Sequence, residues 1–267
     1  TIHLAQNEME GVQLLFRATK AYKGLSVEVS DFTDNTGNTL SNTVYLEHYF
    51  TCGEQGSYPD ALQPMPESFD LPAGVNQAIY VRAKTEKNTK PGYYNATITL
   101  KQGQDILFRG EIWAHVWGFA LPDATSCRTA IGIDAGDASV GGSISINKYD
   151  SKSSYKEYYD FILDNYRVNS YKLPYDFNDS RVDEYLDNPK IQNYLVGASD
   201  AGSANCGYNL NRLKTAHNKL SQKQEWLDKS LFYVTDEPST QEVLDTAITR
   251  INNVRSVFGE DAQIIIP

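Results

Sequence analysis

The sequence predicts a multidomain β plus α/β protein, in which an N-terminal β-sandwich, residues 1–122, leads into the first half of a (β/α)8 barrel of the TIM type, residues 123–267. Two observations predict this fold class. Short strand-like runs separated by turn residues fill the first region, whereas strand-like and helix-like segments alternate in the second. The pattern changes at Leu121–Pro122, which we take as the domain boundary.

The first region has β-strand patterning throughout. Its runs carry β-branched and aromatic residues, often alternating with polar ones, as half-buried strands do. Turn-forming segments such as 34–38 and 91–92 separate them. Short strands with turns at this spacing are typical of a sandwich. The runs are residues 11–16, 25–32, 44–50, 77–84, 93–101 and 106–119.

The second region alternates strands with helices. Two segments have the S-x-x-E form that opens a helix, one at Ser154 and one at Ser239. No glycine-rich phosphate loop follows a strand, which favours a (β/α)8 barrel over a nucleotide-binding doubly wound sheet. The candidate strands are residues 130–134, 170–173, 194–198, 231–235 and 262–266.

The length of the second region predicts that the barrel is truncated. A full barrel takes about 250 residues, and only 145 follow Pro122 (267 − 122). We expect the last strands to be deleted, disordered or carried by another polypeptide, with the missing C-terminal half as a partner. An isolated half-barrel exposes a sheet edge, so we expect it to self-associate and to be inactive alone.

Composition excludes several classes of protein. The net charge of −10 argues against nucleic-acid binding, which needs clustered Lys and Arg. No run of 18 apolar residues is present, so no membrane span is expected. Cys52, Cys127 and Cys206 are far apart and form no C-x-x-C, so we expect unpaired cysteines, no metal site and no cofactor.

Acidic residues follow each of the first four strand candidates of the second region. In (β/α)8 barrels the reactive residues lie at the C-terminal ends of the strands. We therefore take these positions as candidates for catalysis or substrate binding. They are Asp134, then Tyr175 and Asp176, then Asp200, and finally Asp236 and Glu237.

The adjacent carboxylates Asp236 and Glu237 are the strongest candidates. They follow an apolar strand directly and precede Pro238 and a helix. Where a strand ends the backbone turns, so neighbouring side chains can converge on one cavity. Such a pair suits acid/base work on a glycosidic oxygen. The alternative is structural: Asp236 caps the helix that follows.

The segment around this pair resembles a known family. Residues 232–238, F-Y-V-T-D-E-P, resemble the catalytic strand of glycoside hydrolase family 123. Four segments of the first region resemble that family's N-terminal sandwich, in the same order along the chain. These segments are residues 7–14, 58–64, 91–100 and 116–122.

The resemblance implies a retaining β-N-acetylgalactosaminidase that uses substrate-assisted catalysis, an exception to the two-carboxylate scheme. Asp236 would hold the substrate's acetamido N–H and stabilise an oxazolinium-like intermediate. Glu237 would protonate the leaving oxygen and later activate water. The expected partner is a glycan with a terminal N-acetylhexosamine, and the expected location is secreted, periplasmic or cell-surface, although the sequence contains no targeting signal.

Three alternatives stay open at this point. A conventional retaining glycosidase would use Glu237 as acid/base, with its nucleophile on a later strand. A family 20-like N-acetylhexosaminidase would also place an Asp-Glu pair after its fourth strand, but would not normally carry this front sandwich. A non-catalytic carbohydrate-binding or surface protein would keep the scaffold alone, which the 18 tyrosines also suit.

Overall fold

A computed structural model describes residues 1–129, 131, 151–196 and 208–266, with side chains from Tyr155 onward in the first helix. The chain divides into two compact units, Thr1–Pro122 and Asp123–Pro267. The predicted site residues Asp134 and Asp200 lie outside the described residues, as does most of the predicted strand 130–134.

The first unit is built from ten strands. Within residues 1–122, all of which are described, the helical content is one turn of 3-10 helix at Gly53–Gln55. The strands are β1 Ile2–Gln6, β2 Met9–Arg17, β3 Tyr22–Val29, β4 Phe32–Thr33, β5 Thr39–Thr51, β6 Ser57–Pro64, β7 Phe69–Leu71, β8 Asn76–Lys84, β9 Gly92–Gln102 and β10 Asp105–Ala120.

These strands form one hydrogen-bonded sheet made of two groups. One group contains β1, β10, β9, β3 and β7, and the other contains β2, β8, β5 and β6. The short strand β4 joins the groups, because it pairs with both β5 and β9. The β1–β10 pair is parallel, whereas the other strand pairs of this unit are antiparallel. The unit is β-rich as expected, and its assignment to a sandwich stays a prediction.

Alternating burial along the strands builds the core of the first unit. In β9, Tyr94, Ala96, Ile98 and Leu100 are buried while the residues between them are not. This is the two-residue period of a strand with one face turned inward. Burying a large aliphatic side chain contributes roughly 1.5–3 kcal/mol. The same core contains Leu4, Leu25, Phe32, Ile79, Val81, Ala114 and Val116.

The second unit combines helices with short parallel strands. Its helices are α1 Ser151–Tyr166, α2 Val182–Asp187, α3 Leu210–Leu220, α4 Gln224–Asp228 and α5 Gln241–Phe258. Its strands are β11 Tyr194–Leu195, β12 Ser230–Tyr233 and β13 Ile264–Ile265.

The parallel strands lie side by side in chain order. Ile131 forms a parallel bridge with Ser170. On the other side of that segment, the Leu195 N–H donates to the carbonyl of Tyr171, the residue after Ser170, at 2.8 Å. β12 then pairs in parallel with β11 on one side and with β13 on the other. Among the described strands the order therefore never reverses, and β12 is central in its sheet. The half-barrel itself stays a prediction.

Tyrosines supply much of the core of the second unit. Tyr159 and Tyr194 have no exposed surface, and Tyr185 and Tyr208 are less than 10% exposed. The hydroxyl of Tyr194 donates to the carbonyl of Trp226. Buried tyrosine is stable when its hydroxyl finds such a partner. Part of the high tyrosine content therefore serves packing rather than sugar stacking.

Candidate active site

The candidate site lies where the chain leaves β12. Val234 is fully buried and Thr235 is 8% exposed, so the chain continues through the interior for two residues beyond the strand. Asp236 and Glu237 are the first exposed residues after it. The structure thus places both carboxylates at the C-terminal edge of a parallel sheet, on its central strand, which is the edge where ligands bind in α/β folds.

Tyr233, the last residue of β12, fixes the position of Asp236. Its phenol Oη donates a hydrogen bond to Asp236 Oδ1, at 2.5 Å. Burial, and secondly this bond to the carboxylate, raise the pKa of Tyr233 to about 12. The phenol therefore keeps its proton at physiological pH and acts as a donor. It holds one oxygen of Asp236 in place while the other stays available.

Glu237 has a strained backbone. Its φ is +36°, in the left-handed region that glycine favours. The residue after it is Pro238, whose ring disfavours right-handed helical backbone at position 237. A non-glycine residue held in a sparsely populated conformation costs of order 1–3 kcal/mol and often marks a functional site. The backbone thus turns sharply at Glu237, directly after Asp236.

Helix α5 holds the backbone that precedes the pair. Arg250 Nη1 donates to the carbonyl of Val234 at 2.6 Å. Tyr208 donates its hydroxyl to the carbonyl of Tyr233, and Asn253 Nδ2 donates to the carbonyl of Tyr208 at 3.1 Å. Residues 250 and 253 are three apart on the helix and share a face. The exit of β12 is therefore anchored from α5.

The structural alternative for Asp236 is wrong. The N-cap of α5 is Thr240, whose side-chain oxygen accepts a hydrogen bond from the Val243 N–H (3.3 Å). The sequence predicted that the helix cap is Ser239, and the observed N-cap lies one residue later along the chain. Because another side chain caps the helix, the carboxylate of Asp236 is not needed there.

Tyr175 and Asp176 occupy packing and turn positions. The Arg181 guanidinium lies 4.2 Å from the centre of the Tyr175 ring, and the Tyr185 ring packs edge-on against it at 5.8 Å. The carbonyl of Asp176 accepts from the N–H of Asp179 (2.9 Å). Among the described residues, no hydrogen bond, ion pair or ring contact joins either residue to the carboxylate pair, and their role in substrate binding stays a prediction.

Sequence reasoning missed three residues of the site, namely Tyr233, Arg250 and Tyr171. Tyr171 lies close enough to Tyr233 to help raise its pKa, and it follows the bridge residue Ser170 at the same edge of the sheet. The sequence did offer a signal for Tyr233, because a tyrosine stands three residues before Asp236. No group of three His, Cys, Asp or Glu suited to a metal occurs among the described residues.

Comparisons with known proteins give distant likenesses. No protein-family model matches the chain, and no curated protein matches it. Among solved structures, the chain is similar to a family 123 glycoside hydrolase from Clostridium perfringens, with 14% identity and a TM-score of 0.38. The match covers 45% of this chain and 23% of that enzyme, so it spans about a quarter of the enzyme's length.

Two further solved structures are less similar. One is AvmM, which catalyses macrocyclization in alchivemycin A biosynthesis, with 8% identity, a TM-score of 0.28 and coverage of 48% of this chain and 88% of AvmM. The other is a PapD-like domain of human CEP192, with 10% identity, a TM-score of 0.22 and coverage of 43% and 76%. None of the helices in the described residues has the length and apolarity to cross a membrane.

Proposed function

We propose that the protein is a glycoside hydrolase whose catalytic groups are Asp236 and Glu237. The observation that carries this proposal is the paired, exposed position of both carboxylates at the C-terminal edge of the central strand of a parallel sheet. Two further features support it: the hydrogen bond that orients Asp236 and the left-handed backbone at Glu237. The sequence resemblance to family 123 points to the same residues.

The proposed substrate is a glycan with a terminal β-linked N-acetylhexosamine, of which N-acetylgalactosamine is the first candidate. The protein would meet such glycans as a secreted, periplasmic or cell-surface enzyme. A 2-acetamido sugar carries its own nucleophile, the acetamido oxygen. An enzyme for such a substrate needs no carboxylate on the opposite face of the ring, which agrees with two adjacent carboxylates at the end of one strand.

In the first proposed step the acetamido oxygen attacks C1 while Glu237 gives its proton to the departing glycosidic oxygen. The C1–O bond to the aglycone breaks, and a cyclic oxazolinium-like intermediate forms. Asp236 accepts a hydrogen bond from the acetamido N–H and stabilises the positive charge that develops there. Tyr233 donates to the same carboxylate, which keeps it in the orientation that this contact requires.

In the second step Glu237, now ionised, takes a proton from water as the water oxygen attacks C1. The intermediate opens, the acetamido group is restored, and the sugar leaves with its original β configuration. Two inversions at C1 give net retention. Glu237 ends protonated and ready for another cycle, so the two steps balance in protons.

The proposal is tested with the full-length protein and an aryl β-N-acetylgalactosaminide. Wild type should release the aryl group, and Glu237→Gln and Asp236→Asn should each lose about 10²–10³ in kcat, as expected when one electrostatic group is removed. The matched control is the double variant Glu260→Gln, Asp261→Asn, an adjacent exposed pair beyond α5, which should retain wild-type turnover.

Two outcomes would contradict the proposal. Wild-type turnover in either catalytic variant would make the pair structural. Absence of hydrolysis by wild type, together with retained binding of the glycoside, would favour the non-catalytic carbohydrate-binding alternative. A conventional glycosidase with a nucleophile elsewhere would also cleave glycosides that lack the 2-acetamido group. It would accumulate a covalent glycosyl-enzyme intermediate with 2-fluoro sugars.

A further inference from the structure

The first unit contains a cavity of about 530 Å³ that the proposed hydrolysis does not use. It lies at one end of the strand group β2, β8, β5 and β6, and residues of all four strands line it. Pockets for small ligands usually enclose about 300–1,000 Å³, so this volume suits a single sugar ring or a molecule of similar size.

The cavity forms because β5 separates from β8. The two strands pair as far as Leu46 and Ile79, where the ladder ends. Beyond that point Gln77 fills the gap with its side chain, since its Nε2 donates to the backbone carbonyls of Glu47 and Ala78, both at 2.9 Å. Gln77 is therefore part of the cavity lining.

A β-bulge in β6 lies beside the part of β5 that lines this cavity. Glu47 pairs with Leu62 and Tyr49 pairs with Pro59, so β6 carries one residue more than β5 at this point. Glu47, His48 and Tyr49 of β5 all line the cavity. Bulges occur preferentially near binding sites.

Glu47 is a buried carboxylate that, among the described residues, forms no ion pair. Its residue surface is 5% exposed, and in the described part of the chain Gln13 Nε2 is the sole side-chain donor to it, contacting Oε2 at 2.7 Å. A single donor leaves most of the hydrogen-bonding capacity of this side chain unused, because the two oxygens of a carboxylate can accept about four hydrogen bonds. A ligand with several hydroxyl donors would use that capacity.

Arg17 contributes a guanidinium to the same cavity. Its Nη1 donates to Asn76 Oδ1 at 3.1 Å, and both residues are part of the lining. The lining contains one acidic side chain, Glu47, and one guanidinium, Arg17. The charged groups are accompanied by amides and by the Tyr49 ring. This set matches a neutral ligand that is rich in hydroxyl groups.

We propose that this cavity is a second ligand site, which binds a neutral pyranose of a glycan. Vicinal sugar hydroxyls would donate to the Glu47 carboxylate, while Arg17 and the amide of Asn76 would donate to sugar oxygens. The Tyr49 ring offers an apolar face for the C–H groups of the sugar. The site would hold a glycan on the first unit, and it is independent of hydrolysis at Asp236 and Glu237.

The test is isothermal titration calorimetry on the full-length protein. The probes are methyl β-D-galactopyranoside, methyl β-D-glucopyranoside and their 2-acetamido counterparts. At least one should bind to wild type, and Glu47→Gln should weaken that binding at least tenfold. Glu10→Gln, an exposed glutamate on β2 outside the cavity, is the matched control and should bind as wild type does.

Further measurements separate this site from the candidate active site. Glu47→Gln should hydrolyse an aryl monosaccharide at the wild-type rate. Binding that survives Glu47→Gln and disappears in Asp236→Asn belongs to the candidate active site and would overturn the proposal. So would a wild-type protein that binds none of the four pyranosides. Binding of glycine or L-alanine in place of the sugars, dependent on Glu47, would show an amino-acid site instead.

A folding control is needed because Glu47 is buried and its substitution can affect the fold. Circular dichroism and thermal unfolding show whether Glu47→Gln retains the native fold. If it does not, Arg17→Gln, an exposed residue at the edge of the cavity, replaces it and should also weaken sugar binding at least tenfold. Unchanged sugar affinity in that folded variant would overturn the proposal.

Discussion

At the scale of single residues, the candidate site depends on the four positions from Tyr233 to Asp236 and on the strained residue that follows. Two buried residues, Val234 and Thr235, carry the backbone from the strand to the carboxylates. The phenol at one end of this segment donates to the carboxylate at the other. The segment thus ties the orientation of Asp236 to the packing of β12.

Tyr233→Phe should slow hydrolysis of an N-acetylhexosaminide by roughly 10- to 100-fold, because a hydrogen bond to a charged group contributes about 1.5–3 kcal/mol. The pKa of Tyr233 is raised to about 12, so the hydroxyl keeps its proton throughout an assay from pH 5 to 9. The fold-loss should therefore be constant over that range when kcat/KM is measured.

Tyr58→Phe is the control for this substitution. Tyr58 also donates its hydroxyl, to the carbonyl of Gln55 at 2.7 Å, but it lies in the first unit. Its removal should leave kcat/KM unchanged. Equal kcat/KM in Tyr233→Phe and wild type would show that Asp236 does not depend on the phenol.

Glu237→Gly should raise the free energy of unfolding by about 1 kcal/mol relative to Glu237→Gln, because glycine adopts positive φ without strain. Both variants lose the acid, so both should lose about 10²–10³ in kcat. Urea unfolding of the two variants measures the difference. A glycine variant that is no more stable than the glutamine variant would mean that the backbone at this position is not strained.

At the scale of elements, helix α5 serves two purposes. It packs against the sheet through Ala247 and Val254, both fully buried, and through Phe258, whose ring lies 4.7 Å from that of Phe232. It also anchors the exit of β12 through Arg250. A change in the position of α5 therefore changes the position of the carboxylates.

The sequence predicted α5 and β12 well, because α5 has a long and regular apolar period and β12 contains a continuous apolar run. Their boundaries were less accurate, since Ser239 and Thr240 are both good caps and only backbone geometry selects between them. The capping pattern at Ser154 misplaced the start of α1, which lies at Ser151. Tyr175 could not be assigned from sequence, because a tyrosine that packs under an arginine looks the same as one that stacks on a sugar.

Thr240→Ala should destabilise the second unit by about 0.5–2 kcal/mol, because it removes the side-chain acceptor for the Val243 N–H. Ser239→Ala, one residue earlier, should change the free energy of unfolding by less than about 0.5 kcal/mol. Thermal or urea unfolding of the two variants decides the assignment. If Ser239→Ala were the more destabilising of the two variants, Ser239 would be the N-cap.

At the scale of the whole molecule, we propose that the described parallel strands follow the order of a (β/α)8 barrel and that the first unit is a sandwich. The support for the barrel is that each described strand lies beside the next one along the chain, whereas a doubly wound sheet reverses direction at a switch point. The support for the sandwich is that two antiparallel strand groups are joined through one short strand, β4.

Leu4→Ala should destabilise the first unit by about 2–5 kcal/mol, because Leu4 is fully buried in the strand that pairs with β10. Leu15→Ala on β2, where the leucine is 59% exposed, is the matched control and should cost less than about 0.5 kcal/mol. Denaturant unfolding of the full-length protein measures both. A tolerated Leu4→Ala would show that β1 adds little to the core.

The β1–β10 pair has a consequence for how the protein is made. Leu4 faces Val116, so 112 residues (116 − 4) separate the partners. A ribosome adds about 5–20 residues per second, and roughly 6–22 s pass between the synthesis of the two strands. During that interval the buried residues Ile2 and Leu4 have no strand to pair with. Until β10 has left the exit tunnel, the apolar side chains of β1 therefore lack the strand that pairs with β1 in the folded unit.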